Sequence, residues 1–240
     1  MNRFSELCKS HLSTIFAINS VFALFCLPWA VWTIVCQCFS ALLVGASEAV
    51  GGALSLWCMG NLPCFLLLAV GLGGVTKCCA NLYYEDSGNV SDGFRQGGKN
   101  TGKYCLYAVL LWLSLSAAVL STVWVGKINL PDLVAYVLAA VAVVQFVFVL
   151  SWVFTCATQN LFYFDKWSDV ATNGWKLVFT KLSFVGWALL TISPIVVTVL
   201  LPFVWQLVAW VITLVLLPVP LVLVVVVNYK KVFDAVTHIR

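Results

Sequence analysis

The chain has 240 residues, of which 62% are hydrophobic and only 9% charged. A soluble domain needs about 25% charged residues to solvate its exterior, so this composition excludes a soluble fold. The net charge of +4 comes with no basic block, which argues against a nucleic-acid partner. What remains is a single integral membrane domain over residues 1–240, with the lipid bilayer as its first partner.

A helix needs about 20 apolar residues to cross a hydrocarbon core of about 30 Å. Six windows meet that length: Ser13–Cys36, Leu56–Thr76, Tyr104–Val125, Leu133–Ala157, Leu182–Pro202 and Val204–Val227. The last two share an uninterrupted apolar stretch, read as a hairpin turning near Pro202. With a cytoplasmic N-terminus, every Lys and Arg except Lys127 falls on the inner side. Basic residues resist translocation, so both termini are expected to be cytoplasmic.

The apolar run around the first span outlasts one crossing, and Pro28 interrupts it. A hairpin at Pro28 would give seven crossings and turn every later loop inside out, against the charge rule. One kinked span is therefore expected. A re-entrant or interfacial segment over Gln37–Leu54 would follow, broken at Gly51-Gly52. The run after Arg3 and Lys9 lacks a small-x-small cleavage site, so it reads as a retained helix.

Two inner loops echo each other. Asn81-Leu82-Tyr83-Tyr84-Glu85-Asp86 is followed by Ser91-Asp92, Gly97 and Lys99; Asn160-Leu161-Phe162-Tyr163-Phe164-Asp165 is followed by Ser168-Asp169, Gly174 and Lys176. The spacing predicts a short amphipathic elbow helix in each loop. Ser91 or Ser168 would cap it, Asp92 or Asp169 would lie in its first turn, and Lys99 or Lys176 near its end. Spans two and three and spans four and five would then form two parallel hairpin repeats.

None of the six windows contains Asp, Glu, Lys, Arg or His. Ionisable groups inside a membrane mark proton relays and ion pathways, so a proton-coupled pump or an intramembrane aspartyl or metalloprotease is not expected. The amides Asn19, Asn61, Gln145 and Gln206 read first as interhelical glue. Asn19 is the exception worth following, because Pro28 on the same helix frees a carbonyl. The ten cysteines fit no zinc spacing and read as small apolar thiols, with a pairing among Cys36, Cys38 and Cys58 the one open alternative. Trp57, Trp124, Trp167, Trp175 and Trp205 read as an aromatic belt, with carbohydrate stacking as the rival. No catalytic, cofactor or metal residues emerge.

The chain resembles the YesL-like family of bacterial integral membrane proteins. The likeness rests on Asn19 and Pro28, on Gly71, Gly73 and Gly74 ending the second span, and on Asp92, Phe94, Gly97, Lys99 and Asn100 in the following loop. Tyr229 with Phe233 and Asp234 completes it. Gly93 separates Asp92 from Phe94 where the family places them side by side. The resemblance implies a multi-pass protein of the bacterial plasma membrane, often encoded beside sugar-uptake ABC transporters. The expected fold is an all-α bundle of six spans. The expected function is a non-enzymatic accessory subunit on a sugar ABC transporter permease, with a channel or facilitator for a neutral solute as the alternative.

Overall fold

The computed structural model describes residues 6, 9–42, 47–125, 131–163 and 166–237, and these are helical with no strand among them. In chain order the elements are α1 (Leu12–Leu42), α2 (Ser47–Ala80), a five-residue π-helical turn (Asn81–Glu85) and α3 (Val90–Gly98). There follow α4 (Thr101–Val125), α5 (Asp132–Phe162), α6 (Trp167–Thr180), α7 (Ser183–Leu200), α8 (Phe203–Val215) and α9 (Pro218–Thr237). Five helices are long and apolar enough to cross a membrane, and the bent pair α8–α9 makes a sixth if counted as one span.

Most helices outrun their windows, because backbone bonding continues past the point where side chains stop being apolar. α1 passes through Pro28 without turning back, which removes the seven-crossing arrangement. It continues through Gln37 to Leu42, and α2 begins at Ser47 and passes unbroken through Gly51 and Gly52. The separate segment expected over Gln37–Leu54 is therefore absent among the described residues; each end extends a neighbouring helix. Lys127 and the 126–130 connection lie outside the described residues.

The sixth window is corrected most. The chain turns at Leu201 and Pro202 as expected, but Val204–Val227 is not one helix. α8 ends at Val215, and α9 leaves it at 49° after a two-residue break. Pro218 and Pro220 explain the interruption. Neither has an N–H, so the carbonyls of Leu214 and Leu216 lose their helical donors four residues on.

The echo loops fall on like elements, each a short helix between two long ones. The caps differ from expectation. Asn89, not Ser91, caps α3, its Oδ1 accepting the Asp92 N–H at 3.2 Å. α6 starts at Trp167 with no side-chain cap, so Ser168 sits inside the helix. Asp92 and Asp169 do occupy first turns, where the helix dipole favours them. Lys176 lies short of the end of α6, which runs on to Thr180.

Two apolar clusters form the interior. One joins α1, α2, α8 and α9 around Ile18, Val75, Trp210 and Leu223; the other joins α4, α5, α6, α7 and α9, with Ala69 of α2, around Tyr107, Cys156, Phe184 and Tyr229. α2 and α9 contribute to both and thereby tie the two halves of the bundle together.

Candidate functional site

Three clusters gather the residues singled out in the sequence. The first lies where α8 gives way to α9. Asn19 is 2% exposed on α1. Its Nδ2 donates to the Leu216 carbonyl at 3.3 Å, and its Oδ1 accepts the Val219 N–H at 2.9 Å. One carboxamide thus supplies the donor that Pro220 lacks and the acceptor that the broken helix no longer offers Val219. In an apolar interior each stranded backbone group would cost about 1–3 kcal/mol. Asn19 therefore serves a break 197 residues away and not the carbonyl freed by Pro28.

One to three turns along the same helix pair, Trp29 of α1 meets Trp210 of α8 edge to face at 5.4 Å, and Phe65 of α2 packs edge-on against Trp29. Both indoles are buried, and neither N–H has a partner among the described residues. One turn before Phe65, Asn61 is 1% exposed with both ends of its carboxamide unbonded there.

The second cluster is a backbone-to-backbone seat for α3. A side chain added at Gly97 would run into the backbone of Gly73 and Gly74, and one at Gly74 into the ring of Phe94. Gly93 lies as closely against Cys78, and Gly71 against Phe25. Phe94, admitted by Gly74, stacks on Phe25 of α1 with centroids 6.2 Å apart. The glycines thus allow the close helix approach expected of small residues in membranes. Asn100 continues the chain from this seat: its N–H donates to the Gly97 carbonyl, and its own carbonyl accepts from Lys103 and Tyr104. The Lys99 side chain is exposed and takes no part.

The third cluster is the charged end of the bundle. His11 Nε2 approaches Asp86 Oδ1 at 2.9 Å. Asp86 itself adopts the left-handed conformation, at φ 51°, that closes the π turn; a short polar side chain tolerates it. Lys230 pairs with Asp234 at 2.8 Å, and Tyr163 donates to the same carboxylate at 2.9 Å. Phe233 packs edge-on against Tyr163, and the buried Tyr229 donates to the Phe184 carbonyl at 3.1 Å. Lys103 Nζ donates to Asn160 Oδ1 at 3.0 Å, while Asn160 Nδ2 donates to the Tyr107 hydroxyl and the Cys156 carbonyl. These contacts bring the start of α1, both echo loops, the start of α4 and the end of α9 to one end of the bundle.

Several expected residues are not brought together. Gln145 is exposed on α5, away from Asn19 and Asn61, and Gln206 donates to the nearby Val199 carbonyl. What ties Asn19 to the bundle is backbone repair. Tyr104, Tyr107, Pro218 and Pro220 went unnoticed in the sequence. The Pro-Val-Pro run was the available signal, since it removes two N–H groups within three residues.

No protein family matches the chain, and neither curated proteins nor solved structures yield a match.

Proposed function

We propose that this chain is a non-enzymatic accessory component of the bacterial plasma membrane, with six crossings and both termini in the cytoplasm. It docks laterally on a sugar-uptake ABC permease. One observation carries the reading: long-range side-chain hydrogen bonds tie distant helices together, while α5, α7 and α8 turn apolar faces outward. Asn19, Asn160 and Tyr104 each bridge distant elements, as a rigid scaffold requires. Leu133, Val141, Val197, Leu200 and Val204 face away from the bundle.

The orientation rests on the charge asymmetry, and the shared contacts among the segments it assigns inward support it. α3 and α6 act as elbow helices at that face, with exposed Trp167 and Phe179 in the headgroup region. The units α2–α3–α4 and α5–α6–α7 form the two repeats. Affinity purification from native membranes in mild detergent tests the reading. A permease subunit should travel with the protein; recovery with no permease would count against it.

A second reading, a facilitator for a neutral solute, is favoured by the interrupted helix and the unbonded Asn61 carboxamide, since broken membrane helices line transport sites. Solute flux into liposomes should then fall on Asn61→Leu. Flux indifferent to that change would discard it.

A further inference from the structure

The first half of α5 has neighbours on one side only. Between Leu133 and Val144 every residue is exposed except Ala135, Ala139 and Ala142, with Leu133 and Tyr136 each at 75%. An apolar face of this kind is what lipid solvates. Gln145 does not fit that description. It is exposed on the same helix, and no described residue bonds its carboxamide. Thirteen residues beyond Asp132 it lies about 20 Å along the helix, near the middle of a hydrocarbon core about 30 Å thick. A carboxamide at that depth faces tails that can neither donate nor accept, so it is driven toward a polar partner.

A carboxamide is its own complement, with one donor group and one acceptor. Two copies inserted in the same sense are related by a two-fold axis along the membrane normal, which puts Gln145 of one opposite Gln145 of the other. Each Nε2 then donates to the other's Oε1, and both amides are satisfied at once. We infer that the protein is a homodimer in the bilayer, joined along the exposed face of α5 with Gln145 at the contact. The α7–α8 flank stays free for the lateral partner proposed above, but the dimer does not depend on that partner.

Energy transfer between labelled copies of the purified protein, titrated against lipid in liposomes, tests this. The native chain should self-associate, and Gln145→Leu should weaken association about 3- to 30-fold, the span expected of a membrane amide bond. A photo-cross-linking residue placed at Val141 should trap dimers, and one at Val197 on α7 should not. Gln145 is exposed, so Gln145→Leu leaves the internal packing intact, and unchanged thermal unfolding would verify that. A monomer at all dilutions, a dimer indifferent to Gln145→Leu, or trapping only from Val197 would overturn the inference.

Discussion

Tyr84 and Phe162 meet edge to face with their ring centroids 5.5 Å apart. One ring comes from each echo loop, and the Lys230 ammonium lies 5.6 Å and 5.3 Å from their centroids. The two loops that resemble each other in sequence therefore touch in space, and α9 locks the contact. Cation–ring and ring–ring attractions of this kind contribute about 0.5–1.5 kcal/mol each.

The pair should behave as a unit in mutagenesis. Tyr84→Ala and Phe162→Ala are expected to be non-additive by about 0.5–1.5 kcal/mol in a double-mutant cycle read by detergent unfolding. Simple addition of the two losses would mean the rings contribute only through other neighbours.

The seat of α3 separates two adjacent glycines. Gly97→Ala drives a methyl into the Gly73–Gly74 backbone, whereas nothing lies within 4 Å of a side chain added at Gly98. Gly97→Ala should destabilise the protein by about 1–3 kcal/mol. Gly98→Ala should be neutral or slightly stabilising, because alanine suits a helix better than glycine. Thermal unfolding of the two variants side by side checks the contrast.

Asn160 is the hub of the other half. Removing its carboxamide with Asn160→Leu strands the Tyr107 hydroxyl and deprives Lys103 of its acceptor, and about 2–4 kcal/mol of stability should be lost. Lys103→Met removes only the partner nearest the bundle end and should cost less. Equal losses for the two would contradict the hub.

Topology offers an independent check. Reporter fusions after Gly98 and after Thr180 should report from the cytoplasm, and a fusion beside Lys127 from the opposite side. A fusion after Gly98 reporting from outside would reverse the proposed orientation.

How far the fold could be read in the sequence depends on the range of the forces involved. Hydropathy and helix length are local, so the spanning helices and the tight turn at Pro202 were legible. The repeated Asn, aromatic, Ser-Asp and Gly spacing led to the short helices because each is a local pattern too. Their caps were misplaced, since Asn89 competes with Ser91 for the same role and only the backbone path decides between them. The break after Val215 was hidden because averaging over a Leu- and Val-rich stretch dilutes Pro218 and Pro220. The role of Asn19 was beyond sequence reasoning altogether, as its partners are brought to it by packing alone. Glycines at 71, 73 and 74 announced a close approach but not which helix approaches.

Asn19 stands in for the N–H that Pro220 lacks, and a double-mutant cycle between these two residues measures that substitution most directly. Asn19→Leu alone strands the Leu216 carbonyl and the Val219 N–H. Pro220→Ala restores a backbone donor to Leu216, so in that background Asn19→Leu should cost about 1 kcal/mol less. An identical cost with and without Pro220 would show that the carboxamide does not repair the break.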